Sequence, residues 1–420
     1  MRNIFDQYNQ PENKLTHALV SSLAQDPRLL RAFLKWATAK KFSGRDKLTV
    51  IEQTLPGQEE LDETEAGKKG LPDACVFDDD GWILIIESKV ASRLTASQLR
   101  RHYDTVVRRG YKNPKILAIT ASDQVPQNLA PYVISKTWRE IYEWGYRQVN
   151  KCYWSRFFLR YFEILEAKMV KEEYLKAGTL TKFSGIPFCS GNPYSYCEAK
   201  RLLRLIVDEF KSNGKLMRDL GIDIEFSGRA AIKGVKGTQV WDFLRFREAK
   251  KEKSFTKYPH LTFAISYSMC ELKLTLPHNI HKQLKARIFG LSFDDFCEVI
   301  GAVMIRSKKS IQMDPAIKPV ITLLQRHYLS QSDSGIIDAA LKFDLRTMQK
   351  EQKGKEKYQP EWIKTAFDVM NNKKSNIQIQ IGFEIPLDKS KVIKTEKAIA
   401  VLEEAARALL PFLNVIFGRR

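Results

Sequence analysis

A run of apolar residues that ends in opposed charges constrains this chain more than any other stretch. In Gly70–Lys89, GLPDACVFDDDGWILIIESK, two β-rich apolar runs, Ala74–Phe77 and Trp82–Ile86, flank Asp78-Asp79-Asp80-Gly81. That turn signal, with glycine free to take positive φ, predicts a β-hairpin. Side chains alternate faces along a strand, so Glu87 and Lys89 share one face, and the fold-back brings Asp73 alongside them. Two carboxylates and an ammonium then converge at the end of an otherwise oily strand. Such charges are costly to desolvate unless they pair or bind a cation, which marks the place as a candidate site.

Upstream, Pro11–Ala39 reads as helical. Glu12, Leu15, Leu19 and Leu23 recur at three- and four-residue spacing, Pro11 suits the first turn, and a second helical segment follows Pro27. Lys47–Glu52 reads as a short strand and Gly57–Lys69 as a polar loop leading into Asp73. After the hairpin, Thr95-Ala-Ser-Gln98 is a capping-box pattern that opens a helix ending at Gly110. Strands are expected at Lys115–Thr120 and Tyr132–Lys136, and a helix at Trp138–Tyr146. The order implies a small mixed sheet flanked by helices, an α/β domain over residues 1–150.

Pro72-Asp73 and Glu87-Ser88-Lys89, with Glu12 on a helix upstream and Gln98 on a helix downstream, resemble the PD-(D/E)XK phosphodiesterase superfamily of restriction-endonuclease-like nucleases. The resemblance covers residues 1–150. It implies that Asp73, Glu87 and the main-chain carbonyl of Ser88 bind Mg²⁺, with Mn²⁺ able to substitute. It implies that Lys89 orients or activates the attacking water and that Glu12 helps position the metal or its water. Gln98 and Arg101 are candidate substrate contacts, although Gln98 has at least an equal claim as a cap of its own helix, and Arg100, Arg101 and His102, which could face phosphate, read better as a charged helix face. The implied activity is Mg²⁺-dependent hydrolysis of DNA in a restriction or antiviral-defence setting. A nucleic-acid-binding or assembly protein that keeps the fold without catalysis, and an RNA-directed nuclease, are the alternatives.

Net charge separates the two halves of the chain. Residues 1–150 carry a net +3 and the remaining 270 a net +17 of the overall +20, which favours a polyanionic partner for the second half. Lys151–Leu175 reads as a long helix linking two domains (151–177). Its aromatic group, Tyr153, Trp154, Phe157, Phe158, Tyr161 and Phe162, suits core packing better than base stacking. Residues 178–420 read as a basic α+β domain with a mainly antiparallel sheet, from alternating segments at Val240–Phe246, Leu261–Leu276, Val320–Tyr328, Ile336–Leu345 and Ile377–Ile385. Helices are expected at Ala199–Phe210, Ser292–Ile305, Glu361–Met370 and Thr395–Phe417, the last broken near Pro411. Basic clusters at Arg245–Lys257, Arg306–Lys309 and Lys350–Lys357 are candidates for phosphate contact.

Six scattered cysteines with no Cys-x-x-Cys pair argue against a zinc ribbon or disulfide framework and for a reducing cytoplasm. No apolar run approaches the roughly 18 residues of a membrane span, so no membrane partner is expected. No Gly-x-x-x-x-Gly-Lys-Ser/Thr motif is present. A nuclease without such a motor needs a homodimer, a protein partner or the second domain to restrain it.

Overall fold

The computed structural model describes residues 3–57, 71–121, 128–175, 178–225, 238–250, 254–327, 336–348, 359–371 and 376–419. The loop read at Gly57–Lys69 falls almost wholly outside the described residues, as do the cluster Lys350–Lys357 and residues 251–253 of another. The chain divides into two compact units, Met1–Lys182 and Phe183–Arg420.

Two helices open the first unit, α1 (Pro11–Gln25) and α2 (Pro27–Thr38). Asp26 separates them: its backbone is extended, its carboxylate accepts from the N–H groups of Arg28 and Leu29, and Pro27 takes the first position of α2, where no N–H is needed. Strands β1 (Leu48–Glu52), β2 (Ala74–Asp78), β3 (Ile83–Lys89), β4 (Lys115–Thr120) and β5 (Val133–Thr137) then form one sheet in sequence order. The first three pair antiparallel and the last three parallel. The hairpin turn closes at Gly81, φ 88°, where a Cβ would be strained. Helix α3 (Ala96–Arg108) is the crossover between parallel β3 and β4.

Alternation along β3 decides which layer each residue meets. Leu84 and Ile86 pack with Leu15 and Leu19 of α1, whereas Ile83 and Ile85 pack with Leu99 and Val106 of α3. Helices therefore cover both faces of the sheet. Helices α4 (Trp138–Tyr146) and α5 (Tyr153–Lys171) complete the α1 side. The helix expected to link two domains is thus an integral wall of the first unit. Phe158, Tyr161, Phe162 and Leu165 are buried among Leu15, Leu19 and Trp138, because one face of α5 is as apolar as the face of α1 it meets.

The second unit is built on a six-stranded antiparallel sheet of order β10-β9-β11-β8-β7-β6. Its strands are β6 (Gln239–Arg245), β7 (His260–Ser266), β8 (Met269–Leu276), β9 (Lys318–His327), β10 (Ile336–Asp344) and β11 (Ile377–Pro386). Leu261–Leu276, which reads as one alternating segment, is a hairpin. Its turn at Tyr267-Ser268 contains neither Gly nor Pro, and Ser266 Oγ closes it by accepting from the N–H groups of Ser268 and Met269. One sheet face, with Leu272, Leu274, Ile381 and Phe383, packs on helices that contribute Leu203, Ile300, Val401 and Leu402. On the other, buried Glu384 is held by Lys273 at 2.8 Å and Lys342 at 2.6 Å. The C-terminal helix breaks as expected, into Ala398–Ala408 and Leu410–Phe417, with Pro411 in the first turn of the second piece. Among the described residues no helix is long and apolar enough to cross a membrane.

Trp138, fully buried in the first core, tests this packing, because its indole N–H has no hydrogen-bond partner among the described residues. Trp138→Ala should cost about 3–5 kcal/mol in urea denaturation. Trp138→Phe should cost about half as much or less, since it sheds the unsatisfied donor while keeping a ring.

Candidate active site

The last three residues of β3 are divided between the two helical layers by strand alternation. Ser88 projects toward α1, where its Oγ lies 2.7 Å from Thr16 Oγ1, and Glu87 projects toward α3. Continuing the β2–β3 register one step past Ala74 and Ile86 sets Asp73 opposite Glu87. Asp73 Oδ2 accepts from the Ser88 N–H at 2.7 Å and the Ser88 hydroxyl at 2.8 Å, while Oδ1 takes no hydrogen bond among the described residues. Lys89, two residues beyond Glu87 on the same face, puts its ammonium 2.8 Å from Glu87 Oε1 and 3.9 Å from Glu12 Oε1. Glu12, in the first turn of α1, accepts from the Val90 N–H through its other oxygen at 3.2 Å.

The helix after the hairpin contributes two side chains. Gln98 Nε2 donates to Glu87 Oε1 at 2.5 Å, and His102, one turn on, brings Nε2 to 3.3 Å from Glu87 Oε2. That approach lacks the alignment of a hydrogen bond, so both atoms are buried without one among the described residues. The capping box is half formed. Thr95 Oγ1 accepts from the Gln98 N–H, but the Gln98 side chain turns away from the cap to Glu87.

The charges are unequally stabilised. Part of Asp73 is open to solvent, yet the atoms crowded around its carboxyl strip most of its water. That burial, followed by the negative charge of Glu87, pushes Asp73 up to about 7, against the pull of Lys89 and Ser88. Burial also opposes ionisation of Glu87, but His102 and Lys89 outweigh it and hold that carboxyl below its ordinary range. Burial alone would lower Lys89; Glu87, Asp73 and Glu12 raise it instead, so the ammonium persists through neutral pH. Lys89 is therefore a fixed cation and hydrogen-bond donor here, and has no lone pair with which to act as a base.

Glu12, Asp73, Glu87, Ser88, Lys89 and Gln98 are thus brought together. Arg101 is not: it lies exposed on α3 and makes no bond to these residues, while neighbouring Arg100 pairs with Asp104 at 2.9 Å. Thr16 was missed by sequence reasoning and His102 was read as part of a charged helix face, although each stands four residues after a candidate, Glu12 or Gln98, and so on the same helix face. Tyr174 was missed too. Burial and then the Glu12 charge raise its phenol, with Lys89 opposing, which places its hydroxyl within electrostatic reach of both. Asp73 also borders a narrow niche lined by Tyr8, Thr16, His17, Glu52 and Gln53 among others. Glu52 there holds His17 Nδ1 at 2.8 Å. Among the described residues no three His, Cys, Asp or Glu side chains form a group that could hold a metal ion. The acidic set here is the smaller one of Asp73 and Glu87.

Asp73 makes stability depend on pH. Its folded value of about 7 lies above its ordinary 3.8, so over this window the native carboxyl keeps a proton that the unfolded chain has lost. The stability this contributes is full below about pH 4 and is lost as pH rises through about 7. In EDTA, Asp73→Asn should therefore melt with the wild type at about pH 4 and below and about 2–4 °C or more above it at pH 8, read by calorimetry. A wild-type excess at pH 8 would contradict this electrostatic account. No protein-family model matches the chain, and neither does any curated protein sequence.

Proposed function

We propose that the first unit is a metal-dependent phosphodiesterase of the PD-(D/E)XK kind and that the protein is an endonuclease acting on DNA. The observation that carries this reading is the juxtaposition of two carboxylates, Asp73 and Glu87, with the ammonium of Lys89 at the end of an apolar strand. Two features of the residues fit a hard divalent cation such as Mg²⁺. Among the described residues Asp73 Oδ1 and Glu87 Oε2 take no hydrogen bond, and the donor set is all oxygen once the Ser88 carbonyl is included. Mg²⁺ is usually held by only one or two protein carboxylates together with substrate phosphate, so a cage of three is not required. When bound, such an ion supplies Lewis-acid polarisation of the scissile phosphate.

The chain's own groups then divide the remaining work. Asp73 and Glu87 orient the cation, and Ser88 fixes Asp73 through two hydrogen bonds. Gln98 and His102 hold Glu87 from the α3 side. Lys89, locked as an ammonium, places positive charge and N–H donors where negative charge develops on phosphorus-bound oxygens. Glu12 steadies that ammonium from α1. The strongly basic second unit supplies sequence-independent affinity for the nucleic-acid backbone.

One observation favours a second reading. Lys89 already forms a 2.8 Å pair with Glu87, and a pair that stays closed excludes a cation, which suits a binding module without catalysis. Titration with Mn²⁺ separates the two, since a closed pair binds no metal.

The test of the first reading is cleavage of plasmid DNA, beside structured RNA, in Mg²⁺, Mn²⁺ or EDTA. The wild type should cut DNA only with the metal, and Asp73→Ala and Lys89→Ala should each lose about 10²-fold or more. Asp73→Ala should keep DNA affinity within about twofold, because the phosphate-binding charge is elsewhere. Gln98→Leu should weaken Mn²⁺ binding by about tenfold or more. Equal cutting by wild type and both alanine variants would sink the proposal, and preferential cleavage of RNA would reassign the substrate.

A further inference from the structure

The aromatic group of α5 does not behave as one unit. Phe158, Tyr161 and Phe162 are core, but Tyr153 is 68% exposed and Phe157 38% exposed, with ring centroids 4.6 Å apart. They do not stand alone on that surface. At 100° per residue, Tyr153, Arg156, Phe157, Arg160, Ile164, Lys168 and Lys171 fall within about a third of the helix circumference. All are exposed.

This stripe combines two features that point to one kind of partner. Its charge is one-sided: among the described residues Arg156, Lys168 and Lys171 make no ion pair, and only Arg160 is matched, by Glu163 at 2.9 Å. Acid returns past the helix end, at Glu172 and Glu173. Its rings lie at one end of a stripe about 27 Å long, whose cations span about 22 Å, a length that several nucleotides can follow. An apolar protein partner would not call for four cations, and a duplex hides the faces of its bases.

The helix also points toward the candidate site. Cys152, just before α5, donates to Asp26 at the end of α1, at 3.0 Å, while Tyr161 reaches Asp6, ahead of α1, at 2.7 Å. The two helices are therefore antiparallel, and the C-terminal end of α5 lies toward the Glu12 end of α1. Tyr174 then comes within electrostatic reach of Glu12 and Lys89.

We propose that the exposed face of α5 is a track for single-stranded nucleic acid, with unpaired bases stacking on Tyr153 and Phe157 and phosphates following Arg156, Arg160, Lys168 and Lys171. That the track feeds the Asp73–Glu87–Lys89 site rests on the nuclease reading; binding to the face does not. Stacking is sequence-tolerant, because every base has a π-face, so the track selects strandedness and not sequence.

The test is fluorescence anisotropy on the full chain in EDTA, with a 5′-fluorescein (dT)20 strand and a 20-base-pair duplex of mixed sequence. Tyr153→Ala/Phe157→Ala should weaken binding to the single strand about tenfold or more, while duplex affinity changes less than about twofold. Tyr153→Phe, which keeps the ring, should bind the strand as the wild type does. Arg156→Ala/Arg160→Ala should lower the salt dependence of strand binding by about one unit of slope. The rings are exposed, so the melting temperature of the double variant should match the wild type. Unchanged strand binding in the double variant, or an equal loss on strand and duplex, overturns the track. So does dissociation of a wild-type dimer by the same substitutions, which would make the face a self-interface. Ring-dependent strand binding without cleavage in Mg²⁺ or Mn²⁺ supports the track and removes the nuclease reading.

Discussion

The cost of holding charge in a nearly dry place governs the first unit. Asp73 and Glu87 face each other across the open end of a hairpin whose other residues are apolar, and their carboxylates have one ammonium, Lys89, close at hand. Like charges at this range raise the proton affinity of the less favoured member, which is Asp73. The surroundings reduce that cost without removing it: Ser88 holds one oxygen of Asp73, and Gln98 and His102 attend Glu87. A site left short of positive charge in this way keeps a proton on Asp73 until pH rises through about 7.

The sheet makes this imbalance possible by placing successive residues in different layers. Ser88 is fastened to the α1 side through Thr16, and its neighbour Glu87 faces the α3 side, where Gln98 meets it. Each helix therefore controls a different part of the acidic pair. Core packing beneath them, with Leu84 and Ile86 on one face and Ile83 and Ile85 on the other, keeps the strand end rigid. The same packing carries α5 along α1 and leaves the ringed, cationic face of α5 outward.

Much of this was legible in order along the chain. The hairpin announced itself through period-two apolar runs around Asp-Asp-Asp-Gly, and the helix starts through the prolines Pro11 and Pro27 and the cap Thr95. Errors arose where a turn lacked its usual residues, as at Tyr267-Ser268, or where composition was read without direction, as in the aromatic group of α5. An amphipathic helix with rings on two faces has the same composition as one with rings on a single face.

The sequence alone determined that Glu87 and Lys89 share a face and that Asp73 can return to them, because a strand has a period of two and a tight turn reverses it. It also determined the excess positive charge of the second half. Only the tertiary structure decided that Gln98 leaves its cap for Glu87, that His102 and Thr16 join the site while Arg101 stays outside, and that α5 belongs to the first unit. Those choices depend on which helix face meets which strand face. That match is made by packing between segments far apart in the chain, which local periodicity does not encode.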